Sequence, residues 1–132
     1  MSERSRQPII VLCAPEHPEV LREQFGRYER EYDLRLTATA AETADLLTGA
    51  RADGHPVALV VTESRLPDSE VYPALHGWRT AVPTARRIVA AHWDHFMADA
   101  DLLRSGLATG KYDAFLLMPR GLRDEEFHHA IT

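Results

Sequence analysis

Short continuous apolar runs alternate along this chain with stretches whose apolar residues recur every three or four positions. Ile9 to Cys13 (IIVLC) is the first run, bounded by Pro8 and Pro15. Leu21, Phe25, Tyr28 and Tyr32 follow at helical spacing, and Leu34 to Ala38 reads as a weaker strand. Thr39-Ala40-Ala41-Glu42 matches a capping box, with Thr39 as N-cap and Glu42 reaching back to the Thr39 amide. The helix it opens packs through Ala44, Leu46 and Leu47 and stops between Gly49 and Gly54. Val57 to Val61 (VALVV) is apolar at every position, the mark of a strand covered on both faces. A helix from about Val71 to Thr80 presents Leu75 and Trp78, and Arg87 to Ala91 (RIVAA) is a fourth strand. Met97 to Gly106 predicts a helix with Leu102 and Leu103 inward. Ala114 to Leu117 (AFLL) predicts a fifth strand, and Leu122 to Ile131 a closing helix through Phe127 and Ile131.

Five strands interleaved with five helices, with continuous apolar strands, predict a parallel sheet with helices on both faces. Right-handed crossovers and this length favour a flavodoxin-like doubly wound α/β fold with strand order 2-1-3-4-5. Residues 1–8 read as a polar tail and 9–132 as a single domain; 132 residues are enough for one core of several layers. In such folds the working crevice lies beyond the C-terminal ends of the strands. That places the chemistry at residues 13–17, 62–70, 91–96 and 118–121.

Composition narrows the options. A net charge of -5, with 14 Arg and one Lys scattered rather than clustered, argues against nucleic-acid binding. The Arg86-Arg87 pair reads as a solvated strand end. No apolar run approaches the roughly 18 residues of a membrane span, and no signal-peptide pattern opens the chain. A single cysteine, Cys13, cannot form an internal disulfide and reads as a small core residue, so the expected compartment is the cytoplasm. Nucleotide loops and a serine-hydrolase elbow are absent. Ala14-Pro15-Glu16-His17-Pro18 follows the first strand, and its two prolines and carboxylate suit no flavin phosphate. No cofactor is expected.

These same edge segments resemble the receiver domain of two-component response regulators, over nearly the whole chain from Ile9 to Ile131. Pro15-Glu16-His17-Pro18-Glu19-Val20-Leu21 stands where receivers carry an acidic pair and a D-P-E-V-L helix start. Glu63-Ser64-Arg65-Leu66-Pro67 stands where they carry the phosphoacceptor Asp and Met-Pro. Ala91 falls on their Thr or Ser, Met118-Pro119 on their Lys-Pro, and Phe115 on their switch aromatic. The wording of PVALVV, ESRLP and KYDAFLLMP most resembles receivers fused to FAD-dependent, thioredoxin-reductase-like oxidoreductases.

The resemblance implies phosphotransfer machinery, and the residues at Pro15, Glu16, Glu63, Ala91 and Met118 depart from it. Mg²⁺ demands near-ideal octahedral geometry at about 2.0–2.1 Å. Pro15 supplies no ligand, Glu63 extends one bond beyond Asp, Ala91 has no hydroxyl, and Met118 is neutral. The expectation is a pseudo-receiver without phosphotransfer, a regulatory module acting through protein contacts. Its partner or fused output domain, or a second copy, is expected on the face spanning 97–131. Glu63 has two readings, a built-in phosphate mimic or a carboxylate that faces water, and the second is favoured. His92 and His95, flanking Trp93-Asp94, could join Glu16 and Glu63 in a metal-dependent hydrolase site. A small-ligand sensor using the vacated acidic pocket is a third possibility. Trp93 reads as a partner contact or a buried loop anchor, and His128-His129 as an exposed helix end.

Overall fold

A computed structural model describes residues 7–108 and 114–117. Five strands and four helices alternate: β1 (Ile9–Cys13), α1 (Pro18–Phe25), β2 (Asp33–Thr37), α2 (Ala40–Ala52), β3 (Val57–Glu63), α3 (Val71–Ala81), β4 (Arg86–Ala91), α4 (Trp93–Ala108) and β5 (Ala114–Leu117). Every pairing is parallel and the order is β2-β1-β3-β4-β5, the flavodoxin-like arrangement expected. The predicted closing helix, with Phe127, His128, His129 and Ile131, lies outside the described residues, as does Met118.

Strand alternation builds two cores from one sheet. Ile9, Val11 and Cys13 point into one, with Leu47 of α2 and Leu75 and Trp78 of α3. Ile10, Leu12 and Ala14 point into the other, with Leu21 and Phe25 of α1. Cys13 is a buried core residue, as expected, and burial holds its thiol above the usual range. Trp78 spends its indole N–H on the Ala40 carbonyl at 3.3 Å, which ties α3 to the start of α2.

Local signals fix several ends. Pro18 opens α1, where its missing N–H costs nothing. The helix gives way after Phe25 to a 3₁₀ turn over Gly26–Tyr28, shorter than the periodicity to Tyr32 predicts. Thr39 caps α2 by accepting the Glu42 N–H at 2.9 Å, but Glu42 takes the Ala38 amide at 2.8 Å instead of that of Thr39. The chain leaves α2 through Gly54, whose φ of 69° is a left-handed conformation glycine adopts freely.

Three expectations about side chains need correction. Leu102 is not inward; it is 56% exposed. The helix starts at Trp93, and its core face runs through Phe96 and Ala100, from which Leu102 is rotated by about 200°. Arg87 is not solvated, because it sits within β4 opposite Val60 and is buried, while Arg86 is exposed. The third correction, at Glu63, concerns the site.

Candidate functional site

Parallel strands deliver their C-terminal residues to one edge, and three loops meet there. Residues 14–17 join β1 to α1, 64–70 join β3 to α3, and His92 alone joins β4 to α4. Glu63 is the last residue of the central strand and is only 2% exposed. The favoured water-facing reading of this carboxylate is therefore overturned. Its Oε2 accepts the backbone N–H of His17 at 2.7 Å and that of Glu16 at 3.3 Å. Burial raises the Glu63 pKa above the usual carboxylate value, opposed by the His17 N–H and by the His17 ring nearby. The longer side chain reaches across to the first loop, and that reach places the charge.

The rest of the edge is assembled from imidazoles. The His17 and His92 rings stack with centroids 3.7 Å apart and planes 9° from parallel. His92 is buried, and its carbonyl accepts the N–H groups of His95 and Phe96, both at 2.9 Å, so it heads α4. One turn along, His95 Nε2 lies 3.3 Å from Glu16 Oε1. Ala91 is fully buried and offers only a methyl group.

The structure thus brings Glu16, Glu63, His92 and His95 to one edge, but not to one point. Glu63 is spent on loop amides, His92 on a ring stack, and Glu16 on His95. Among the described residues, no group of three or more His, Cys, Asp or Glu side chains is arranged to hold a metal ion. The Mg²⁺ shell implied by the receiver resemblance does not fit either. Glu63 is buried with Oε2 already taken by two amide hydrogens, and Pro15 brings no donor. Phe115 lies in β5, but its side chain, like that of Trp93, is outside the described residues.

Three features escaped the sequence reading. His17 carried no motif beyond standing before Pro18. Asp68 accepts the first amides of α2, Ala40 N–H at 2.8 Å and Ala41 N–H at 3.0 Å, which lowers its pKa. Asp99 of α4 accepts from Arg65 at 2.9 and 3.1 Å and from the Ser64 hydroxyl at 3.2 Å; the Arg65 contact lowers its pKa. The 64–70 loop is therefore tied to α2 on one side and to α4 on the other. Between it, the start of α3 and α4 lies a cleft of about 420 Å³ lined by Ser64, Arg65, Leu66, Tyr72, Asp99 and Leu102.

No protein-family model matches the sequence, and no curated protein does. Solved structures do. The chain is similar to a signal receiver domain of an HD-domain-containing protein from Pseudomonas fluorescens Pf-5, with TM-score 0.70 and 21% identity over 99% of this chain and 88% of that one. It is similar to a CheY-like response regulator receiver domain from Methanospirillum hungatei JF-1, with TM-score 0.67 and 18% identity over 95% and 94%. An adenylate cyclase structure from Rhodopirellula baltica matches at TM-score 0.74 and 14% identity over 95% and 84%. At these identities the likeness establishes the fold, that of CheY-like receivers.

Proposed function

We propose that this domain is a receiver-like signalling module that works without phosphotransfer, as a non-catalytic regulator acting through protein contacts. The observation that carries this reading is the seating of Glu63. A phosphoacceptor must present an accessible oxygen in line with its donor, and the carboxylate at the end of β3 is instead buried, with Oε2 bonded to two loop amides. Around it, Pro15 and Ala91 supply neither metal ligand nor hydroxyl.

Buried and bonded, Glu63 becomes an internal anion that holds the first loop down. This favours the phosphate-mimic reading over the water-facing one. The charge stays at the strand end, and loop amides replace the missing metal and lysine as its partners. Output then passes through α4 and β5, the described part of the 97–131 face. Met97 on α4 is 85% exposed and Leu102 is 56% exposed, and they supply apolar contact for a protein partner or a second copy. The wording shared with receivers fused to FAD-dependent oxidoreductases makes such an enzyme the first output domain to try. Among the described residues no helix is long and apolar enough to cross a membrane.

Incubation with acetyl phosphate and Mg²⁺, read by intact mass spectrometry, tests the proposal. No phosphoryl adduct is expected. A hydroxylamine-labile gain of one phosphoryl group would show that the domain is a working receiver.

A further inference from the structure

The two stacked imidazoles join the start of α1 to the start of α4. His17 is the N-cap residue of α1 and donates its own N–H to Glu63 at 2.7 Å. His92 is the single residue between β4 and α4, and its carbonyl takes the first two bonded amides of that helix. The rings meet face to face at 3.7 Å, and a second contact, His95 to Glu16 at 3.3 Å, lies one helical turn further along. A continuous path therefore runs from the Glu63 carboxylate through the His17 backbone and ring to the His92 ring and the first turn of α4.

We propose that the His17–His92 stack is a positioning clasp that sets the N-terminal turn of α4 against the 14–17 loop, in register with Glu63. In a receiver the hydroxyl at the position of Ala91 would make this tie through a phosphoryl oxygen. Here the next residue along, His92, makes it by ring contact, and no phosphoryl group is needed. The clasp deepens the signalling role proposed above and rests on it for its meaning, because α4 is the element taken to carry output. Both residues act through other groups, His17 through Glu63 and His92 through the α4 backbone.

A space-filling role and a clasp differ in what they predict. Flat rings stacked in van der Waals contact gain from parallel geometry, so a planar replacement keeps the tie and a branched aliphatic one of similar bulk does not. A clasp also couples its two ends, so that losing either partner releases both.

The test is amide hydrogen exchange on the full chain for wild type, His17→Ala, His92→Ala, the double variant, His92→Phe and His92→Leu. His17→Ala and His92→Ala should each speed exchange about two- to tenfold at the His95 and Phe96 amides and at the His17 amide, with α2 and α3 unchanged. The double variant should exchange no faster than the quicker single one, and His92→Phe should restore slow exchange while His92→Leu does not. Additive effects, changes confined to the substituted residue, or equal rescue by Leu would overturn the clasp. If His92→Ala fails to fold, the His17→Ala, Phe and Leu variants decide by the same criteria. Phosphorylation by acetyl phosphate would overturn the phosphotransfer-free reading and leave this exchange pattern, and the clasp, in place.

Discussion

The 14–17 loop and the 64–70 loop flank the end of β3 at the same edge, yet carboxylates hold them in opposite ways. The first loop is held from inside: Glu63 reaches up from the buried strand end, and its pKa is raised because burial disfavours the charge. The second is held from outside by two acids whose pKa values are lowered, Asp68 on the α2 amides and Asp99 beside Arg65. A buried carboxylate is costly to ionise and costlier to strip of its donors; an exposed one is cheap to ionise and largely screened. One loop is therefore set rigidly by geometry, while the other is fastened by contacts that solvent conditions can loosen.

Glu63→Asp breaks this comparison most directly. Shortening the side chain by one bond withdraws the oxygen from the His17 and Glu16 amides without exposing the strand end. The carboxylate stays buried with fewer donors, and a loss of about 1–3 kcal/mol in urea unfolding follows. The first loop should lose exchange protection, while the second keeps its ties to α2 and α4. An unchanged midpoint would mean that the amides of the first loop contribute little, and the contrast between the loops would disappear.

How much of this was legible in sequence follows from how local each cause is. The strands were legible because VALVV and IIVLC are buried on both faces, which needs no knowledge of neighbours. The α2 start was legible because Thr39 and Glu42 meet within one turn, though Glu42 settles on the Ala38 amide. Leu102 was misplaced because adjacent leucines leave the helix face ambiguous until Phe96 and Ala100 define it. Glu63 was misread because its burial depends on amides 46 and 47 residues away in sequence. His17, Asp68 and Asp99 were invisible for the same reason, since no periodicity encodes a contact between loops.

The opposite pKa shifts give opposite pH slopes. Glu63 has a folded pKa above its unfolded value, so its favourable share is present below the usual carboxylate pKa and is lost as pH rises through the raised one. Asp68 and Asp99 have folded values below the unfolded one. Their share is full above the usual Asp pKa and is lost as pH falls through the lowered values. Glu63→Gln keeps an acceptor, removes the charge and should raise Tm by a few degrees at pH 7, a gain that shrinks as pH falls through the raised folded pKa. Asp68→Asn should lower Tm at pH 7, with the loss fading towards strong acid. Thermal melts across pH check both signs, and matching slopes for the two variants would show that burial does not separate the loops.

The smallest expected effect lies at Arg65 and Asp99, and salt is the way to see it. Arg65 faces solvent and Asp99 is partly covered, with side chains 49% and 19% exposed, and their attraction runs partly through water. At about 1 M salt the screening length falls to about 3 Å, comparable with the contact itself. Arg65→Ala should therefore lower Tm slightly at low ionic strength and hardly at all in high salt. The Ser64 hydroxyl remains on Asp99 at 3.2 Å and keeps part of the tie in either condition. Glu63→Asp is the internal control: its penalty comes from hydrogen bonds lost in a buried setting, which mobile ions do not reach, so it should persist at high salt. A Tm loss for Arg65→Ala that is equal at both salt levels would mean that the side chain acts by packing against the cleft wall. The second loop would then be held much as the first is, by contact geometry and not by screened charge.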